Sequence, residues 1–323
     1  MSLHHMASMT KPQEHQNSAL SSQILNQPYL LLVLAPLFWG GNVVAAKLVA
    51  DEIDPFLLLA SRCVLATLFI LPFAWTALKR DWSVVRKYWP VLMAFGAVGY
   101  ALFNVLLYLG LQTTTGVNAA IVQAALPMLI LAANFFVFRV RVRPLQVLGV
   151  VLAILGVVYT ATHGDISRLL TLNVNPGDGF VILACLAYTA YTLALKYRPK
   201  MDIMSFMAVT FTGAAITGVV MLALFGGGLG QVAKLADMSG AVWLVIAYVA
   251  IFPSMFSQVA YARGVELVGA NRAAPSHNLI PVFGALGSLL LLGEALQLYH
   301  VIAALIIVGG IILAEVAARK TRA

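Results

Sequence analysis

Residues 108–127 read YLGLQTTTGVNAAIVQAALP, and residues 261–281 read YARGVELVGANRAAPSHNLIP. Set side by side, Gly116 answers Gly269, Asn118 answers Asn271 and, after a one-residue shift, Pro127 answers Pro281. Outside these stretches Gly156 pairs with Gly310, and residues 39–55 match residues 188–204 with Lys47 opposite Lys196. The matches keep one order and nearly one spacing, which is the signature of an internal repeat.

Composition says where such a repeat resides. Of 323 residues, 61% are hydrophobic and 10% charged, against roughly 45–50% and about 25% in soluble domains. A soluble fold of this length has no interior large enough to hide that surface. The net charge of +8 does not point to nucleic acid, because the basic residues form neither a stripe nor an aromatic-interleaved groove. They stand in short clusters between apolar runs, as membrane topology requires. The polar first 28 residues contain no signal-peptide run and are expected to be a disordered cytoplasmic tail. Cys63 and Cys185 both fall within apolar segments, so they are expected to pack in the interior, and no cofactor or metal is implied.

A membrane helix needs around 20 apolar residues. Ten such spans are predicted: 29–49, 56–76, 89–111, 116–138, 144–160, 179–195, 204–225, 241–261, 273–292 and 298–316. With both termini cytoplasmic, 16 of the 20 Lys and Arg residues fall on the cytoplasmic side, so the positive-inside rule sets that orientation in the inner (plasma) membrane. The exceptions are Lys47, Arg62, Arg168 and Lys234. The expected fold is an all-α polytopic membrane protein of ten transmembrane helices. Two five-helix repeats, 29–163 and 179–316, flank a periplasmic connector at 164–178 and precede a basic tail at 317–323. Five is odd, so the second repeat enters the bilayer upside down, a plan that places a transport site near the midplane between the halves. The linkers are short and leave no room for a catalytic domain. Gly226-Gly227-Gly228 lacks the Lys-Ser/Thr of a phosphate loop.

The residues Phe38-Trp39-Gly40-Gly41-Asn42, Asp54-Pro55-Phe56, Arg62, Gly269-Ala270 onward to Pro281, and Leu292-Gly293-Glu294 resemble the drug/metabolite transporter superfamily in its ten-helix EamA type. Within it the chain is most similar to the amino-acid exporter branch that includes the YddG proteins. The first half departs from the Leu-Gly-Glu pattern, carrying Phe138-Arg139-Val140 instead. The resemblance implies metabolite efflux through a central cavity framed by spans 1, 3, 4, 6, 8 and 9, with spans 5 and 10 more peripheral.

Polar side chains inside a span are costly and call for a partner or a path. Helical spacing places several on shared faces: Trp39 and Asn42; Tyr100, Asn104 and Tyr108; Gln123, Pro127 and Asn134; Tyr188 and Tyr191. In the later spans Ser254, Gln258 and Tyr261 align, as do His277, Pro281, Gly284 and Ser288. Trp39, Asn42, Tyr100, Asn104, Tyr108, Gln123, Tyr188, Tyr191, Gln258, Tyr261 and His277 are the candidate substrate-binding residues, with Pro127 and Pro281 as hinges. The competing reading makes the amides and hydroxyls links between helices and the aromatics interface anchors. Lys47 is expected to snorkel to the outer surface. Arg62 is expected to pair with Asp51, Glu52 or Asp54, with capture of a substrate carboxylate as the alternative. No Asp or Glu falls in the middle of a predicted span, which argues for facilitated diffusion. Gly149 with Ala153, and Gly310 with Ala314, carry the four-residue spacing of close helix contact.

The functional expectation is a secondary transporter that exports small organic metabolites, amino acids with aromatic or other amphiphilic character foremost, by alternating access through a mostly apolar cavity. Its partners are the small-molecule substrate and the lipid bilayer, not nucleic acid, and the oligomeric state is left open. The alternatives are a sugar-phosphate or nucleotide-sugar carrier, which would want more cavity cations, and a non-transporting sensor or intramembrane enzyme. The last requires a His/Asp/Glu constellation that the spans do not show.

Overall fold

The computed structural model describes residues 26–139, 143–165, 175–268 and 273–319. Most of the polar tail, Arg141, Arg168, Gly269, Ala270, Asn271, Arg272, Lys320 and Arg322 lie outside the described residues. All regular structure among the described residues is helical. Eight helices are long and apolar enough to cross a membrane, and two shorter apolar ones follow. They are α1 (Pro28–Leu48), α2 (Pro55–Arg80), α3 (Trp82–Thr113), α4 (Gly116–Phe138), α5 (Pro144–Ala161), α6 (Pro176–Tyr197), α7 (Ile203–Phe225), α8 (Gly240–Val268), α9 (Ser276–Leu291) and α10 (Leu298–Ala314, continuing to Arg319).

Local chemistry sets where these helices begin. Asp54 accepts the backbone N–H groups of Phe56 (2.9 Å) and Leu57 (3.1 Å), and Pro55 occupies the first helical position of α2. The carboxylate thus satisfies two donors that have no intrahelical partner, and proline loses nothing at that position. Asn175 and Pro176 repeat the device on α6, and Asp202 caps α7 through the Met204 N–H.

The helices pair in a pattern that survives exchanging each helix of one half for its counterpart in the other. The α2–α7, α4–α9 and α5–α10 contacts map onto themselves, and α3–α6 maps onto α8–α1. The α5–α10 contact is made backbone to backbone. A Cβ on Gly310 would stand 2.6 Å from the carbonyl oxygen of Gly149, so the two backbones touch where side chains would hold them apart. The small-residue spacings Gly149/Ala153 and Gly310/Ala314 mark close packing within or between protomers, and the structure pairs the two helices with each other. Cys63 and Cys185 are free and buried.

Boundaries move where helices run past the apolar window. The third span, expected from 89, opens at Trp82, because its first turns carry Arg86 and Lys87 beside exposed Trp82 and Trp89. Such an interfacial turn is helical without being apolar. The sixth opens at Pro176, three residues before the expected start, and the eighth continues to Val268. The connector between α7 and α8 contains a 3-10 helix, Leu229–Asp237, entered through Gly227 and Gly228 at φ 81° and 93°. Glycine accepts that left-handed conformation without a Cβ clash.

Candidate substrate cavity

A cavity of about 440 Å³ opens between the two halves, with walls from α1, α2, α3, α4, α6, α8 and α9. Three local irregularities in the helices shape it. In α3 the turn Ala97–Leu102 is π-helical, and in α8 the turn Phe252–Phe256 is too. These are counterpart helices, and each widened turn delivers wall residues, Gly99 and Tyr100 from one, Pro253 and Ser254 from the other. Widened turns of this kind concentrate at functional sites. In α8 the cause is visible: Pro253 has no N–H to give the Val249 carbonyl, and the Ser254 hydroxyl donates to that carbonyl instead (2.9 Å). The third irregularity is the pair of breaks in α4 and α9. The segment Gly116–Ala124 ends before Leu126–Phe138 begins, and a 3-10 turn, Ala274–Asn278, precedes Leu279–Leu291. Pro127 and Pro281 therefore sit in the first turn of a new helical segment, where no backbone donor is missed. The two expected hinge residues thus stand at helix restarts and not inside a continuous helix. The Gln123 amide donates to the Ala119 carbonyl of its own helix (3.1 Å).

The wall is aromatic. Trp39, Tyr261 and His277 form one cluster, with ring centroids 5.8 Å apart for Trp39–Tyr261 and 4.4 Å for the edge-on Tyr261–His277 contact. The Trp39 indole N–H is fixed by the Pro253 carbonyl at 3.0 Å. Opposite stand Tyr100, Phe103 and Tyr188, with Phe103–Tyr188 centroids at 5.1 Å. Asn42, Asn104, Gln123, Gln258, Pro127 and Pro281 also line the cavity.

Two candidates stand behind the wall instead. Tyr191 packs edge-on against Phe95 and contacts Tyr100, and Tyr108 is 2% exposed with its hydroxyl on Arg62 and Asn42. Asn134 donates to the Ile130 carbonyl of its own helix and Ser288 is buried, neither reaching the cavity. Phe103, Pro253 and Asn278 are wall residues that helical spacing did not select. The first two depend on widened turns that a regular 100° repeat misplaces.

Arg62 departs from expectation. Arg62 is 5% exposed and turned into the bundle, away from the helix end. Its Nη1 donates to Asn42 Oδ1 (3.0 Å), Asn104 Oδ1 (2.7 Å) and the Tyr108 hydroxyl, and its Nη2 to Ser254 Oγ (2.8 Å). The expected pair with Asp51, Glu52 or Asp54 does not form because Arg62 turns into the bundle, while Asp54 caps α2 and Glu52 accepts from Ser239 (2.8 Å). Lys47 also lacks a carboxylate partner among the described residues. Its Nζ donates to the Leu111 carbonyl at 2.8 Å, one of the last carbonyls of α3, where a cation meets the negative end of the helix dipole.

A second polar cluster lies off the cavity, where α4, α5, α6 and α10 meet. Asp178, fully buried in the first turn of α6, accepts from the Thr114 hydroxyl and from Asn118 Nδ2 (3.3 Å), with His163 Nε2 3.7 Å away. His300 Nδ1 accepts the Gln297 N–H, so its Nε2 carries the proton and donates to Asn118 Oδ1 (2.8 Å). Sequence reading placed Asp178 in a solvated connector. The cue it passed over is Pro-Gly-Asp, which marks a helix start.

Comparison with known proteins accords with this architecture. The EamA-like transporter family matches twice, over residues 26–162 and 175–315. The chain belongs to the EamA-like transporter family. It is 27% identical over 290 residues to the uncharacterized transporter YyaM of Bacillus subtilis (strain 168), covering 89% of this chain and 93% of that one. It is 23% identical over 299 residues to the uncharacterized inner membrane transporter YicL of Salmonella typhimurium, covering 90% and 96%. A solved crystal structure, 20% identical, shares the fold with a TM-score of 0.59 over 92% of this chain and 99% of its own. This EamA-like protein is therefore a multi-pass membrane transporter, and the two family matches coincide with the two runs of helices that meet at the cavity.

Proposed function

We propose that this EamA-like transporter is a secondary exporter of small amphiphilic metabolites, aromatic and other amphiphilic amino acids foremost, working by alternating access. All ten helices cross the inner membrane as two inverted five-helix repeats, 29–163 and 179–316, joined by a periplasmic connector, with both termini cytoplasmic. The observation that carries the reading is the cavity itself. At about 440 Å³ it falls within the ~300–1,000 Å³ of small-molecule sites. Its aromatic wall with a few neutral hydrogen-bonding groups suits a solute with an apolar body. The described wall contains no Asp or Glu, which favours facilitated diffusion over a proton relay through a cavity carboxylate.

Purified protein in liposomes, offered a panel of radiolabelled amino acids with and without a pH gradient, tests the function. Saturable flux of aromatic or branched solutes, unaffected by the gradient apart from charge on the solute, is expected. No flux above empty liposomes for any panel member would overturn the reading. The topology is tested separately, with single cysteines at the exposed positions Asp51, Gly230, Ser83 and Lys200. The first two should label from the periplasm and the last two should not, and labelling of all four from one side would end the ten-span arrangement.

A further inference from the structure

We propose that Arg62 is the anion-recognition group of the cavity, and that the transported solute binds by docking a carboxylate on its guanidinium while its apolar body lies against the aromatic wall. This deepens the transport reading and rests on it in one respect, that the cavity is the binding site.

Arg62 brings a planar guanidinium with five N–H donors and no acceptor. It is 5% exposed, and every partner it has is neutral: Asn42, Asn104, Tyr108 and Ser254. The orientation of each partner is set by a further bond that points its acceptor at the cation. Asn104 Nδ2 donates to the Tyr100 carbonyl (2.7 Å), which turns Oδ1 toward Arg62. The Tyr108 hydroxyl donates to Asn42 Oδ1 (3.1 Å) and the Ser254 hydroxyl to the Val249 carbonyl (2.9 Å), which leaves the lone pairs of both oxygens for the guanidinium. The chain thus builds a socket that holds the cation in place and solvates it, yet among the described residues provides no counter-charge. For a structural arginine this is a poor arrangement, because a buried charge without an opposite charge is strongly disfavoured. For a receptor it is what binding requires.

The distribution of donors agrees. Three acceptors crowd the two hydrogens of Nη1, while Nε and one hydrogen of Nη2 have no partner among the described residues. Arg62 also lines the cavity. It is the sole Lys or Arg of the described wall, which has no Asp or Glu. A carboxylate matches the planar fork of a guanidinium, and the wall presents nothing of opposite sign to receive a solute's ammonium. One cation suits a monoanionic headgroup; a phosphate-bearing solute would bring a second charge without a partner.

The test uses probes of nearly one shape that differ in charge. Full-length protein in detergent is titrated with 3-phenylpropanoate and 3-phenylpropanamide, then with phenylalanine and phenylalanine amide, following binding by calorimetry and by thermal stabilisation. In the wild type each carboxylate should bind at least about tenfold more tightly than its amide, the order expected of a charge-assisted bidentate contact. Arg62→Lys should keep part of this preference and Arg62→Gln should abolish it. Equal or tighter binding of the amides, or binding of neither member of both pairs, overturns the proposal in the wild type alone, so a variant that fails to fold does not protect it. A folded Arg62→Gln protein that still prefers carboxylates overturns it as well. Flux of the same probes in liposomes separates this proposal from the transport reading. Amide and carboxylate moving equally would remove Arg62 and leave transport standing, whereas selective binding without any flux would do the reverse.

Discussion

Glu294, in the turn between α9 and α10, accepts the backbone N–H of Gly116 at the start of α4 through Oε1 at 2.8 Å, and its Oε2 accepts the next N–H, that of Val117, at 2.9 Å. One carboxylate from the second half thus satisfies two orphan donors of a first-half helix and sits at the positive end of its dipole. Thr115, the residue preceding that helix, caps it from its own side through the Asn118 N–H (3.1 Å). The Leu-Gly-Glu motif is thereby a joint between the repeats.

The first prediction follows from that joint. Glu294→Ala leaves two N–H groups unpaired and should destabilise the protein by roughly 2 kcal/mol, the scale of charge-assisted hydrogen bonds. Glu294→Gln retains one good acceptor and should cost about half as much. Thermal unfolding in detergent checks both, and no shift for Glu294→Ala would show that water caps α4 equally well.

The second concerns adjacent glycines of α10. Gly310→Ala would place a methyl 2.6 Å from the Gly149 carbonyl, whereas a Cβ on Gly309 meets nothing within 4 Å. Gly310→Ala should therefore destabilise by about 1–3 kcal/mol through overpacking, and Gly309→Ala should be neutral or slightly stabilising through helix propensity. Equal melting temperatures for the two variants would contradict the close α5–α10 contact.

The third is a pH dependence at the loop face. Asp202 donates its backbone N–H to Asp81 Oδ2 (2.8 Å), and this bond, with Arg80 3.9 Å away, holds the Asp81 carboxyl below its ordinary value of 3.8. A lowered folded pKa stabilises fully above the unfolded value and is lost as pH falls through the folded one. Asp81→Asn should thus reduce stability between about pH 5 and 8, where an ordinary carboxyl is ionised, and the difference from wild type should close only in strong acid. Parallel melting curves at every pH would remove the Asp81–Asp202 link from the stability of this face.

Much of this was legible in the chain because membrane spans are written in composition. The ten apolar runs and the aromatic identity of the wall follow from windowed hydropathy and helical spacing, which survive any detail of packing, and the small-residue spacings of α5 and α10 mark close contact without naming the partner helix. What was not legible depends on contacts distant in sequence. Arg62 was assigned to nearby acids, and its partners turned out to come from α1, α3 and α8, positions 20 to 192 residues away. Phe103 and Pro253 were missed because π-helical turns shift the register by part of a turn, and Asp178 because its burial is decided by Thr114 of the α3–α4 turn and Asn118 of α4.

The last prediction concerns motion at Pro127 and Pro281. Each opens a helical segment after a break, at Ala125 in α4 and at the 3-10 turn Ala274–Asn278 in α9, and both line the cavity. A break of this kind is a place where two rigid segments meet with few backbone bonds between them, and it survives in a membrane only where it faces protein or a water-accessible cavity. Two such joints on counterpart helices give the hinge positions that alternating access needs, one for each gate. Static breaks that only shape the cavity are the competing account. In the broken helix Pro127 and Pro281 miss no bond, but Pro127→Ala supplies an N–H that can reach the Gln123 carbonyl once the two segments join, and Pro281→Ala does the same toward the His277 carbonyl. Each substitution should fuse two segments into a straighter helix and raise stability, by about 0.5–1.5 kcal/mol for one added hydrogen bond. If the joints move during transport, that same increment stabilises a resting conformation and should slow flux severalfold in each single variant, more in the double, with substrate affinity nearly unchanged. Liposome flux set beside equilibrium binding in the same preparations distinguishes the accounts. Flux unchanged in both single variants and in the double, at wild-type affinity, would show that the breaks are fixed features of the cavity and that the gates lie elsewhere.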